Sequence, residues 1–176
     1  MKVVAALGVL VLLLLAPPAI SQVLDDKLIV PGQRIGRWTL DMKIDDLLRV
    51  NGARNAFGGI PPLSQLQSPD APPDLWVHRW LNVRFAALTI GRDSGEVVAL
   101  VISSEGYKTD KGLGPGTSRE AIESAYGAPT AVTRPQPESW TGIYDGLGVA
   151  FVVGRGNLTE NVPVFRSGSA RWIFRY

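Results

Sequence analysis

The sequence predicts an α+β protein made of two similar units, each a short helix packed on one face of a three- to four-stranded antiparallel sheet. Two observations lead to this prediction. Residues 40–52 and 115–127 both have the pattern of a short amphipathic helix that ends in glycine, and both are followed by alternating apolar residues typical of strands. The terminal glycines lie 75 residues apart, a period that indicates a duplicated small domain and not a solenoid array.

Residues 1–21 have the pattern of a cleavable signal peptide. A single lysine supplies the positive charge, residues 3–16 form an uncharged run, and Ala19 and Ser21 place small residues where a signal peptidase reads them. A membrane-spanning helix needs about 20 apolar residues, and this run is shorter and ends at two prolines. We therefore expect a periplasmic or secreted protein, residues 22–176, with no stable membrane anchor after cleavage.

The first unit is expected to span residues 22–108, with a short strand near residues 36–40 before its helix. In the helix, Ile44, Leu47 and Leu48 fall at positions i, i+3 and i+4 and form one apolar stripe. Two aspartates in the first turn suit the positive end of the helix dipole.

The helix of the first unit is followed by an unusually proline-rich segment, residues 53–74. It contains five prolines and two adjacent glycines. Such a length exceeds an ordinary connection between elements, so we expect a long loop that is either mobile or functional.

The second unit is expected to span residues 109–176. Its helix carries an apolar stripe of four residues: Ala121, Ile122, Ala125 and Tyr126. Thr117 and Glu120 have the spacing of a capping box, which places the start of the helix near them.

Strands are predicted from alternating apolar residues. Residues 78–85 and 144–151 share Leu, Val and Phe at the same offsets, which predicts one half-buried strand in each unit. Residues 85–90 and 97–103 flank a turn sequence and predict a hairpin. Further strands are expected at residues 162–166 and 171–174.

Composition narrows the function classes. Without the lysine of the signal peptide, 17 Lys and Arg stand against 16 Asp and Glu, and they are scattered along the chain. Phosphate binding needs clustered positive charge, so this pattern argues against a nucleic-acid partner. The chain has no cysteine, which excludes a disulfide, a thiol nucleophile, a cysteine metal site and a lipid-attachment cysteine.

The helix motifs resemble those of small exported bacterial domains, namely the β-lactamase inhibitor protein fold and the outer-membrane-assembly lipoproteins of the SmpA/OmlA type. The motif reads Leu40-Asp41-Met42, Asp46-Leu47 and Gly52 in the first copy, and Gly116-Thr117-Ser118, Ala121-Ile122 and Tyr126-Gly127-Ala128-Pro129 in the second. The resemblance implies a tandem of helix-on-sheet units that binds a partner protein, without catalytic residues. Asp41 replaces the usual glycine, Pro115 replaces the usual leucine, and the lipid-bearing cysteine is missing.

Patterns that point to catalysis are sparse. Residues 112–118 resemble a phosphate-cradling loop but lack the GK(S/T) ending, so a turn into a capped helix explains them. His78 is the single histidine, and no serine lies in a nucleophile elbow. We expect no cofactor and no metal, and we favour a protein without catalytic activity, with an unrecognised hydrolase as a further alternative.

Aromatic residues suggest a binding surface. On the predicted strand 75–79, Leu75 and Val77 alternate with Trp76 and His78. If the aliphatic residues face the helix, the others project from an open sheet face, where Trp, Tyr and Arg often dominate binding energy. The alternative is that the tryptophans belong to the core. The candidate partner-binding residues are Trp76, His78, Trp80, Arg84 and Tyr144.

The sequence therefore favours an exported, non-catalytic module that binds a protein in the cell envelope through an open sheet face. The alternative is a binder of polysaccharide or peptidoglycan, in which exposed tryptophan rings stack on sugars.

Overall fold

The computed structural model describes residues 25–51, 56–60, 73–91, 95–134 and 136–174. The predicted signal peptide and most of the proline-rich segment lie outside the described residues. The described chain is α+β and consists mostly of strands in two sheets, with two eight-residue helices and one four-residue helical turn.

Eight antiparallel strands form the larger sheet. In spatial order they are β4 (Ala56–Ile60), β5 (Leu75–Trp80), β6 (Phe85–Ile90), β7 (Glu96–Ile102), β12 (Thr159–Phe165), β11 (Val149–Val153), β10 (Trp140–Tyr144) and β9 (Ala131–Thr133). The two halves of the chain meet where β7 pairs with β12, with Leu100 opposite Val164. The strands of the two predicted units therefore join into one continuous sheet.

The smaller sheet contains four short strands. In spatial order they are β3 (Trp38–Thr39), β2 (Arg34–Ile35), β1 (Leu28–Val30) and β8 (Lys108–Thr109). Strands β1 and β8 are parallel, so the start of the described chain pairs with its middle. The predicted boundary between the units, at residues 108 and 109, falls inside β8.

Both predicted helices form. Helix α1 (Ile44–Asn51) buries Ile44 and Leu47, and α2 (Arg119–Tyr126) buries Ile122, as their apolar stripes predict. Ala121, which was expected in the stripe of α2, is exposed. The cap of α2 differs from the prediction by one residue, because the Ser118 hydroxyl accepts a hydrogen bond from the backbone N–H of Ala121 at 3.3 Å.

Thr117, the predicted cap of α2, lies outside the helix and serves the turn before it. Its hydroxyl oxygen accepts a hydrogen bond from the backbone N–H of Gly114 at 3.0 Å. A capping-box pattern identifies a helix start only to within a residue, since neighbouring Ser and Thr compete for the same role.

Several strand predictions were wrong in detail. Residues 81–83 and 145–147 form 3₁₀ turns where continuous strands were expected. Residues 56–60, assigned to a loop, form the edge strand β4, and residues 171–174, assigned to a strand, lie mostly in the turn α3 (Ala170–Ile173). Short apolar runs are compatible with turn, helix or strand, so their periodicity alone does not decide the element.

One hydrophobic core joins the two sheets and both long helices. It contains Trp38 of the smaller sheet, Leu47 and Ile122 of the helices, and Phe85 and Phe151 of the larger sheet, all buried. Because the same cluster takes residues from both halves of the chain, the halves stabilise each other.

None of the helices in the described part of the chain combines the length and apolar character needed to cross a membrane.

Candidate functional site

The larger sheet has two unlike faces. Helices α1 and α2 and the smaller sheet pack on one of them, which we call the core face. The opposite face of strands β5 to β7 carries half-buried Val77, Ala86, Leu88 and Val101 and exposed Arg79, and we call it the open face. The helices therefore cover one side of the strands and leave this part of the other side accessible.

The tryptophans of β5 lie on the core face, not on the open face. Trp76, His78 and Trp80 pair across the strands with Thr89, Ala87 and Phe85, and all three of these partners are buried. Trp80 is fully buried and lies in the same core cluster as Leu47 and Ile122. The expectation that His78 and Trp80 project from an exposed face is therefore wrong, and Trp76 is half-buried on that same side.

There is a simple physical reason why the sequence predicted the wrong face of β5 to be exposed. Alternation shows which residues share a face but not which face is buried, and a strand rich in both aliphatic and aromatic residues is compatible with either choice. Trp38, from a two-residue strand, decides the choice by stacking on Phe85 with ring centroids 4.2 Å apart. No periodicity in the sequence pairs Trp38 with Phe85.

His78 belongs to a small buried polar network. The ring Nε2 lies 3.0 Å from the Thr89 hydroxyl, which donates to the backbone carbonyl of Gly91 at 2.8 Å. Because the hydroxyl donates to Gly91, it accepts from the histidine, so Nε2 carries a proton in this arrangement. This network satisfies a buried polar side chain.

Tyr144 is buried as well. Its hydroxyl donates to the backbone carbonyl of Gly127 at 3.0 Å, which ties the end of β10 to the residue after α2. Burial raises the pKa of Tyr144 to about 12. Tyr126 and Phe151 contact its ring, so this candidate binding residue is part of the core.

Arg84 is the candidate residue that the structure leaves exposed. It follows the 3₁₀ turn 81–83 with φ of 50°, a left-handed conformation that is uncommon outside glycine. Its carbonyl accepts hydrogen bonds from the backbone N–H of Ser103 at 3.0 Å and from the Ser103 hydroxyl at 3.1 Å. These bonds hold the strained turn in place at the rim of the open face.

A shallow groove of about 340 Å3 lies on the open face. Its floor contains the aliphatic residues Val77, Ala86 and Val101, and its rim contains Arg79 and Arg84. The 3₁₀ turn places Leu81 at the same rim, with 63% of its surface exposed. An apolar floor with two guanidinium groups beside it suits a partner with apolar side chains and carboxylates.

The groove continues toward the second half of the sheet. A neighbouring, more polar depression of about 430 Å3 shares Arg84, Ser103 and Asn161 with it and adds Glu105 and Glu160. Farther along, the same side of the sheet is covered, because Phe165 and Ala150 pack in a second cluster with Ala170 of α3. The accessible part of this side is therefore mainly a surface of the first half of the chain.

Metal-ligating side chains and the imidazole are groups that enzymes often use for catalysis. Among the described residues, no group of three or more His, Cys, Asp and Glu side chains is placed to hold a metal ion. The single imidazole is buried beside a threonine whose proton is already donated to Gly91.

Comparisons with known proteins leave the function open. No family model matches the chain, and no curated protein matches it. A solved structure of a DUF4309 family protein, YjgB, from Bacillus subtilis subsp. subtilis str. 168 is similar at a TM-score of 0.45 and 13% sequence identity. The alignment covers 77% of this chain and 88% of that one, and a likeness at this level carries no argument about function.

Proposed function

We propose that this protein is an exported, non-catalytic module that binds a protein in the cell envelope through the open face of its larger sheet. The observation that carries the proposal is the groove itself, in which a half-buried aliphatic floor lies beside exposed Arg79, Arg84 and Leu81. Export is supported by the signal-peptide pattern of residues 1–21.

Of the five candidate binding residues that the sequence indicates, only Arg84 belongs to the proposed surface. Arg79, Leu81, Val77 and Ala86 take the place of Trp76, His78, Trp80 and Tyr144. Arginine at the rim of an apolar patch is a common arrangement in protein interfaces, because guanidinium groups pair with carboxylates while their stems cover apolar surface.

A direct test is the substitution Ala86→Glu in the groove floor. We expect it to abolish co-purification of an envelope partner. The new carboxylate would lie opposite Arg79 on the neighbouring strand, where it would occupy that guanidinium and place a charge in the apolar floor. The matched control is Ala121→Glu on the exposed surface of α2, which should leave co-purification unchanged. Equal capture by both variants, with unaltered circular dichroism, would discard the open face as the binding surface.

Arg84→Gly tests the rim without disturbing the backbone. Glycine adopts the left-handed conformation at no steric cost, so the turn should persist while the guanidinium is lost. Reduced partner affinity together with unchanged or higher thermal stability would support a binding role for Arg84.

Glycan binding is the second candidate, and it has less support. Trp80 is fully buried and Trp140 is buried, so neither ring offers a free face for stacking on a sugar. Sedimentation of the wild-type protein with purified cell-wall sacculi separates the two functions, since the protein-binding proposal expects the protein to stay in the supernatant.

We also propose that the two halves arose by duplication. In both, a helix is followed by four consecutive antiparallel strands, and a 3₁₀ turn separates the second strand from the third. Each turn ends in a left-handed residue, Arg84 in one half and Gly148 in the other. Matching Arg84 with Gly148 gives an offset of 64 residues between the two halves. This offset is two residues shorter than the one that matches the two Leu-Val-Phe patterns of the sequence.

A further inference from the structure

A second groove, of about 350 Å3, lies beside Trp140 in the second half of the chain. Three arginines line it: Arg119 at the start of α2, Arg134 just after β9, and Arg155 just after β11. Glu138 is the one carboxylate among its described lining residues. The groove therefore gathers three guanidinium groups in a chain whose arginines are otherwise scattered.

Trp140 borders this groove and is almost fully buried. It is only 4% exposed, and its Nε1–H has no hydrogen-bond acceptor among the described residues. The Arg119 guanidinium lies over the indole, 5.0 Å from the ring centre. An N–H donor that is buried without an acceptor disfavours the folded state.

The arginines differ in how strongly they are already engaged. Arg119 donates through Nε and Nη2 to one oxygen of Glu123, at 3.0 Å in each case. Arg155 pairs with Glu138 at 2.9 Å, but both side chains are largely exposed, so water weakens this pair. Arg134 is exposed and makes no hydrogen bond or ion pair with the described residues, which leaves its fork of donors available.

We propose that this groove is a binding site for a compact oxyanion, a carboxylate or phosphate group, held mainly by Arg134 and Arg155 beside Trp140. Guanidinium forks bind both groups through paired N–H donors. A ligand carboxylate or phosphate would displace Glu138 from its solvent-exposed pair with Arg155. Arg155 also lines the polar depression that continues the open-face groove, whereas Arg134 lines neither of these two. Arg134 is therefore the residue whose substitution separates the two proposed sites.

The experiment is a titration followed by the indole N–H signals in ¹⁵N NMR spectra. The probes are sodium phosphate and sodium acetate, added at constant ionic strength and pH with sodium chloride as the balancing salt. We expect saturable shifts of the Trp140 signal with a dissociation constant of about 1 mM or tighter for at least one probe. The stronger probe identifies the oxyanion that the groove prefers.

Arg134→Gln should weaken that binding about tenfold or more, because it removes charge-assisted hydrogen bonds. Arg49→Gln is the matched control, since Arg49 is an exposed arginine on α1 in the other half of the chain. The variant Trp140→Phe identifies the Trp140 signal, because that indole N–H signal is missing from its spectrum. If that variant does not fold, calorimetric titration of wild type and Arg134→Gln with the same probes replaces it.

Shifts that stay linear with concentration for both probes would overturn the proposal, as would equal affinity of wild type and Arg134→Gln.

Discussion

Gly142 shows how one residue without a side chain fixes the arrangement of a large one. A Cβ atom at this position would overlap the six-membered ring of Trp140, two residues earlier on the same strand. The indole therefore lies flat over the backbone of β10, and Arg119 covers it from the other side. The sequence shows the glycine, but only the packed structure gives the reason for it.

Gly142→Ala should destabilise the protein by about 2 kcal/mol, because the methyl group forces a rigid buried ring to move. Gly146→Ala is the matched control, since a Cβ there meets no atom within 4 Å. That variant should be neutral or stabilising by about 0.5 kcal/mol. Chemical denaturation of both variants measures the difference, and similar midpoints would contradict this account.

Asp26, near the start of the described chain, makes the stability of the folded protein depend on pH. Arg34 donates to its two carboxylate oxygens at 3.0 and 2.8 Å, and these hydrogen bonds lower the pKa of Asp26 to about 2. An unfolded aspartate titrates near 3.9. The stabilisation is therefore complete above pH of about 4 and is lost as the pH falls toward about 2.

Asp26→Asn should remove this acid-dependent loss of stability. The carboxylate is 44% exposed, so its contribution is at most about 1 kcal/mol. The measurement is the thermal unfolding midpoint of the wild type and of the variant as a function of pH, between about 2 and 5. Asp110→Asn, at an exposed aspartate without a hydrogen bond to the described residues, should keep the wild-type slope, and a parallel slope for Asp26→Asn would refute the assignment.

At the scale of elements, helices were predictable and strands only in part. Helix α2 begins two residues after Thr117 of the predicted capping box, and both eight-residue helices lie within their predicted segments. Caps and apolar stripes are local properties of the sequence. The hairpin of β6 and β7 was predictable for the same reason. The turn at 81–83 was not, since the left-handed Arg84 lacks the glycine that normally marks such a turn. The turn at 145–147 does end in a glycine, Gly148, but the alternating apolar residues around it predicted a continuous strand.

Ser118→Ala should destabilise the protein by about 1 kcal/mol through loss of the α2 cap. Ser124→Ala, at an exposed position inside the same helix, should be neutral or slightly stabilising, because alanine has the higher helix propensity. Denaturant midpoints of the two variants test the position of the cap. Equal midpoints for Ser118→Ala and Ser124→Ala would contradict the assignment of Ser118 as the cap.

At the scale of the molecule, the two halves depend on each other. β7 and β12 pair at the centre of the larger sheet, and β8 reaches back to pair with β1. The core contains residues of both halves in one cluster. A half on its own would expose the edge of a central strand and much of its apolar face.

Residues 22–108 and 109–176, produced separately, should therefore each fail to unfold cooperatively, whereas residues 22–176 should unfold in one transition. Near-ultraviolet circular dichroism follows the packing of the tryptophans during thermal unfolding. A sharp transition in either fragment would show that the halves are independent units.

The sequence by itself determined the α+β class, the two helices and the alternation of residues along β5. It also marked Arg84, which the structure places at the rim of the proposed site. Only the tertiary structure decided which face of β5 is covered, because alternation is symmetric between the two faces until another element packs on one. Trp38 and both helices pack on the side of β5 that carries the tryptophans, and this packing buries apolar surface between segments far apart in the chain.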